Sequence, residues 1–222
     1  MPKAYIDAIE SPKGALWKEA MDYELNKLEE MDTWSKIKRM DVLAGEQIIS
    51  GMWVHIVKNL ESGGIKFHSR WVVRGNQQKT NLSLSDTFAP ISCISSLWIL
   101  MGLMALKDLH IFTWDIDSAY LHGKIDHDIY ILFPEGYSKA GKVGKLNKAL
   151  YCLPEAAQVW HNDLEDKLKT LDFTHLGSDM GVFLHCSGTC MMAIDTHVND
   201  GTGICSSEEE LYVKNGIQSS TK

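Results

Sequence analysis

Hydrophobic and polar positions follow two different periods along the chain. Trp17, Met21, Leu25 and Leu28 recur at steps of four, four and three, which predicts an amphipathic helix over 11–30. Ser11 is placed to cap it, with Pro12 at its first position. Trp160, Leu164, Leu168 and Leu171 repeat the pattern and predict a helix over 155–171. The run from Ser96 to Leu106 is apolar on every side and predicts a buried helix over 95–107, capped by Ser95 or Ser96. It falls short of the roughly 20 residues that a bilayer span requires.

Other segments read with the shorter period of a strand. Residues 52–58 and 65–74 flank Ser62-Gly63-Gly64 and predict a hairpin. His110 to Ile116 is a strand that ends in acid, and 129–132 is a short one before the turn Pro134-Glu135-Gly136. Residues 181–185 and 191–194 predict a strand pair turning at 187–188. Helices and strands do not strictly alternate, so the fold class expected is α+β.

Charge adds a local feature. The chain has 22 Lys+Arg and 29 Asp+Glu, a net of −7, which excludes a small domain that grips nucleic acid by bulk charge alone. Residues 1–35 hold four Lys against eight acids, whereas 58–79 hold five basic residues and one acid. In that second stretch aromatic and basic residues interleave. It reads either as a solvated ribbon or as a surface for phosphates, with Lys66, Arg70 and Arg74 at even steps that keep side chains on one strand face. Five Cys, no basic-then-apolar leader and no membrane-length segment point to an intracellular protein, cytoplasmic or nuclear, not secreted and without a membrane partner.

Candidate chemistry lies at strand ends. Asp115 closes one apolar strand and Asp200 follows another. Acids so placed can meet at one sheet edge and hold Mg²⁺, a hard ion that takes carboxylate and phosphate oxygens. They can equally be ordinary turn acids. Cys186 and Cys190, with His185 and His197 nearby, lack the second pair of ligands that structural zinc needs. They are expected to be two buried thiols of a hairpin. Asp163 to Asp166 is expected to be a solvated helix face.

An ordered series of motifs carries a family resemblance over most of residues 2–206. Trp17-Lys-Glu-Ala-Met21, Glu24-Leu25, Thr33-Trp34, Trp53-Val54 and His68-Ser-Arg70-Trp-Val-Val-Arg-Gly75 come first. Asp86-Thr-Phe-Ala-Pro90, Trp114-Asp115-Ile-Asp-Ser-Ala-Tyr-Leu-His-Gly123, Tyr130 with Pro134-Glu-Gly-Tyr137, and Lys148-Ala-Leu-Tyr-Cys-Leu153 follow. Trp160, Asp179, Val182-Phe183 and His197-Val-Asn-Asp200 complete the series. In this order they resemble the reverse transcriptase of copia-type LTR retrotransposons. Each is weak alone, and their order makes the match specific.

The resemblance implies a fingers-and-palm fold, an antiparallel palm sheet packed on helices, with the thumb absent. It implies a helical segment at 1–35, fingers and palm at 36–206 and a truncated tail at 207–222. It implies RNA-directed DNA synthesis by two-metal phosphoryl transfer on an RNA or DNA primer–template with deoxynucleotides. Asp115, Asp200 and Asn199 would stand at the catalytic positions, with Asp115 and Asp200 holding Mg²⁺ or Mn²⁺. Arg70, His68, Tyr120 and Glu155 would stand at the nucleotide, Tyr120 under its sugar. Lys66 and Arg74 would meet nucleic acid.

The departures all run one way. Asn199 replaces an acid that ligates metal in the family, and Glu155 replaces a Gln that helps bind the nucleotide. His68 stands for Lys, and Trp98 for Arg. These losses of ligand and of positive charge imply a remnant with impaired or lost activity. The alternative is a non-catalytic nucleic-acid-binding or protein-interaction domain that reuses the fold.

Overall fold

The computed structural model describes residues 1–60, 62–79, 82–187 and 190–206. The expected tail at 207–222 and the turn residue Gly188 lie outside them. The chain opens with α1 (Tyr5–Ile9) and α2 (Gly14–Glu30), then β1 (Trp34–Lys38), β2 (Ile48–Ile49), β3 (Gly51–Asn59) and β4 (Ile65–Val73). Next come α3 (Leu84–Thr87), α4 (Ile94–Lys107), β5 (His110–Asp115), β6 (Tyr130–Ile131) and β7 (Lys142–Leu146). Helix α5 (Ala156–Thr170) precedes β8 (Thr174–Leu176), β9 (Asp179–Ser187), β10 (Cys190–Asp195) and β11 (Asp200–Cys205). The mixed α+β class is the one expected. The chain divides into two compact units: Met1–Ser83 with Gly123–Ala156, and Leu84–His122 with the described residues from Ala157 onward.

The first unit holds the predicted hairpin, β3 paired antiparallel with β4 from Gly51↔Val73 to Asn59↔Ile65. Helix α2 packs on β4. Its buried stripe is Trp17, Met21, Glu24 and Leu28, rather than the Leu25 expected. Glu24 is 5% exposed because its carboxylate accepts the Trp71 backbone N–H at 3.3 Å, a polar contact that apolar periodicity does not register. The expected cap also differs. Ser11 donates to the Ala8 carbonyl and closes α1, while α2 starts at Gly14 behind Lys13. A Cβ at Gly14 would lie 2.1 Å from the Ile9 carbonyl oxygen, so the corner between the two helices needs glycine there. A second sheet, ordered β1-β7-β6-β2, completes this unit.

The second unit is a five-stranded antiparallel sheet, ordered β5-β11-β10-β9-β8, with a helix on each face. Side chains alternate along each strand. Phe112, Trp114, Phe183, Met192 and Ile194 therefore meet Trp160, Leu164 and Leu168 of α5. Ala193 and Ile204 meet Leu100 of α4 on the other side. The helix expected to be buried is not. In α4 only Leu100 is buried, while Ile94, Trp98, Ile99 and Leu106 are exposed. One flat sheet face covers one stripe of an all-apolar helix and leaves the rest in solvent. The expected pair of buried thiols is likewise corrected, since Cys186 is exposed. Among the described residues no helix is long and apolar enough to cross a membrane.

Asp179 ties this unit together. Its carboxylate accepts the Cys93 N–H at 2.8 Å, the Ser96 hydroxyl at 2.6 Å and the Gly181 N–H at 3.0 Å, which anchors the start of α4. Burial would raise its pKa, but the hydrogen bonds from Ser96, Cys93 and Gly181 outweigh burial and hold it below 3.8. The stabilisation is therefore complete above the unfolded-state pKa and disappears as pH falls through the lower folded value. Asp179→Asn is expected to cost about 1.5–3 kcal/mol at neutral pH. The gap should narrow in denaturant melts as pH falls below the ordinary carboxylate range.

Candidate active site

The second unit places Asp115 at the end of β5 and Asp200 at the start of β11, as direct cross-strand partners. Facing residues of an antiparallel pair project to the same side, with Cβ atoms about 4.5–5.5 Å apart. Both side chains are exposed. Asn199 joins them, its Nδ2 donating to Asp115 Oδ1 at 2.6 Å. An amide facing a carboxylate must present nitrogen, because two acceptors would repel. The two carboxylates suit a hard cation, and the third position offers a neutral amide.

A tight turn carries the group. His197 N–H donates to the Asp200 carbonyl at 2.7 Å. Val198 sits at φ 62°, a left-handed conformation that β-branched residues rarely adopt. The Trp160 indole N–H fixes it by donating to the Val198 carbonyl at 2.6 Å, and Ile116 N–H holds the Asn199 carbonyl at 2.7 Å. Strain of this kind persists where surrounding structure over-determines it. Beside the turn, Gly201 and Gly203 lie opposite Trp114 and Phe112. A Cβ at Gly203 would fall 2.1 Å from the Phe112 ring, so the rings lie over the glycine backbone. This Gly–aromatic pairing escaped the sequence reading, although the alternation Gly201-Thr202-Gly203 was its signal. Tyr120 lies in the 3-10 turn Ala119–His122, its ring partly buried against the core.

The remaining site candidates belong to the first unit. Lys66, His68 and Arg70 share one face of β4, and Lys58 sits opposite Lys66. The Arg70 guanidinium stacks 4.3 Å above the Tyr151 ring, which pre-orients it. Arg74 departs from the expected alignment. It follows the last residue of β4 at φ −85°, ψ 75°, so strand alternation no longer sets its side. Burial, with the charges of Lys58, Arg70, Lys66 and Lys27, pushes His68 below its ordinary pKa, so the ring is neutral at pH 7. Glu155 is 3% exposed, with Oε1 taking a 2.9 Å bond from Gln78 and lying 3.3 Å from His127 Nε2.

A family model described as reverse transcriptase (RNA-dependent DNA polymerase) matches residues 32–218. The chain belongs to this family. It is 28% identical over 186 residues to a retrovirus-related Pol polyprotein from transposon TNT 1-94 of Nicotiana tabacum, covering 82% of this chain and 14% of that protein. It is 27% identical over 197 residues to the corresponding polyprotein from transposon RE1 of Arabidopsis thaliana, covering 87% and 13%. The Ty1-BL Gag-Pol polyprotein of Saccharomyces cerevisiae matches at 28% over 152 residues, covering 68% and 8%. The copia-type resemblance is therefore borne out, and this reverse transcriptase segment spans about one seventh of those two plant polyproteins. A telomerase structure from Candida albicans overlaps 92% of the chain and 43% of its own at TM-score 0.47 and 10% identity.

Proposed function

We propose that the chain is the fingers-and-palm part of a copia-type RNA-directed DNA polymerase whose nucleotide addition is impaired. The cross-strand pair Asp115 and Asp200, with Asn199 bonded to Asp115, carries this reading. The second unit corresponds to the palm and the β3–β4 hairpin to the fingers. Mg²⁺ or Mn²⁺ bound by Asp115 and Asp200 would supply charge neutralisation at the phosphates and a more nucleophilic primer hydroxyl. The chain's own residues would do the rest. Lys66 and Arg70 would hold phosphate oxygens, Arg70 with its fork already oriented by Tyr151. Tyr120 would lie under the sugar and reject a 2′-hydroxyl by clash. Asn199 is the defect: its neutral amide occupies an Asp115 oxygen with a hydrogen bond where a carboxylate would add a ligand. Lys66 and Arg70 also mark the non-catalytic alternative, a domain that binds nucleic acid without extending it.

The test of the binding half is salt. Affinity for a primer–template should fall steeply as ionic strength rises, because phosphate contacts release counterions. Lys66→Ala with Arg70→Ala should weaken binding and reduce the slope of log K against log salt by about 2. Arg74→Ala should contribute less. A slope unchanged in the double variant would remove the ribbon from the interface.

A further inference from the structure

Helix α5 and strand β8 bring together a cluster that the polymerase reading does not use. One ligand atom each of His161, Glu165 and His175 lies within 4.8 Å of the other two. Glu165 belongs to the stretch expected to be solvated. Instead its Oε1 lies 2.7 Å from His175 Nε2, with both side chains about four-fifths buried, at 19% and 22% exposure. His161 shares its helix face, one turn earlier. It is 5% exposed, and its Nε2 meets no hydrogen-bond partner.

The protons of His175 point the same way. Its Nδ1 lies 3.1 Å from the Met180 carbonyl oxygen, which can only accept, so Nδ1 carries the hydrogen. In the neutral ring the lone pair is then on Nε2, facing a carboxylate oxygen that is also an acceptor. Two acceptors at that distance require a second proton or a cation. A ring N–H held by a backbone carbonyl, with the other nitrogen free, is the outer arrangement of a metal-bound imidazole. Both rings are also fixed, since Phe183 packs 4.4 Å from the His175 ring and 6.3 Å from that of His161.

We propose that His161, Glu165 and His175 form a site for a zinc-class divalent metal that ties α5 to β8. Two imidazoles and one carboxylate form a donor set that Zn²⁺ takes, leaving one position for water. Mg²⁺ prefers oxygen throughout, which keeps this site chemically distinct from Asp115 and Asp200. Tetrahedral bonds of about 2.0–2.1 Å place ligand atoms roughly 3.3 Å apart, so on binding the 2.7 Å gap between Glu165 Oε1 and His175 Nε2 opens slightly while wider separations within the 4.8 Å cluster close. Lys169, whose Nζ lies 2.6 Å from Glu165 Oε1, is 57% exposed and free to turn to solvent as the metal takes over its charge role.

Co²⁺ titrated into the metal-free chain tests this by visible absorption, with Zn²⁺ as competitor. The expected result is the d–d spectrum of a four- or five-coordinate ion without thiolate-to-metal charge-transfer bands, bleached by Zn²⁺. Zn²⁺ at about 100 times its Kd should raise Tm by roughly 5–10 °C. Glu165→Gln and His175→Gln, checked for native circular dichroism, should each weaken Co²⁺ binding at least about 10–100-fold. Charge-transfer bands would assign binding to the exposed Cys93, Cys152 or Cys186 and overturn the proposal. A spectrum of octahedral aqueous cobalt only, or binding by both variants equal to that of the unaltered chain, would also overturn it.

Discussion

Primer extension with Mg²⁺ should be no faster for the wild-type chain than for Asp115→Asn, and Asn199→Asp should raise it by about 10²–10³-fold. That range is the usual effect of one preorganised group acting on developing charge. The comparison belongs both in the chain alone and in the chain joined to the segment that follows the matched region in a copia-type relative. Asn199→Asp removes the 2.6 Å amide bond to Asp115 and puts three carboxylates at one sheet edge. Without metal those charges repel, so the variant should melt lower than wild type. With Mg²⁺ it should recover, making its Tm more strongly metal-dependent than that of wild type. This readout does not depend on extension. Glu155→Gln should add less, since Glu155 is buried and one of its oxygens is already engaged by Gln78. Robust extension by the wild-type chain would refute the impairment.

Trp160→Ala should be the most destabilising single truncation near the candidate site, at about 3–5 kcal/mol. Trp160 is 2% exposed within the cluster of Phe112, Trp114 and Phe183. Its loss leaves a cavity and also frees the Val198 carbonyl from its 2.6 Å bond. The shift in Tm should be roughly 6–20 °C. Trp160→Phe separates the two effects. It keeps most of the volume, loses the indole N–H, and should cost about 1–2 kcal/mol. Its larger consequence should be at the turn, where Val198 at φ 62° depends on that bond. Faster amide exchange at Asn199 and Asp200 in Trp160→Phe, with core amides unchanged, would verify that α5 sets the turn. Uniformly faster exchange would mean that Trp160 acts only through packing.

The sequence by itself determined the family and most elements. The β3–β4 hairpin, β5 and α5 were legible because burial on one face writes a period of two or 3.6 into the residues. The order of motifs from Trp17 to Asp200 was legible because each names a residue type at a fixed step. What no period records is a contact between distant segments. Glu24 reads as a polar interruption until β4 brings the Trp71 N–H to it. Helix α4 reads as buried because it is apolar all round, yet how much of it is covered depends on the area of sheet opposite. The cross-strand register Asp200↔Asp115 was an expectation that pairing of β5 with β11 alone could fix, since a one-residue slip would turn one acid to the other face. His161, Glu165 and His175 had no signature at all. Helical spacing links the first two, but the third arrives only when β8 folds back along α5, and Glu165 looked like one charge among neighbours on a wet face.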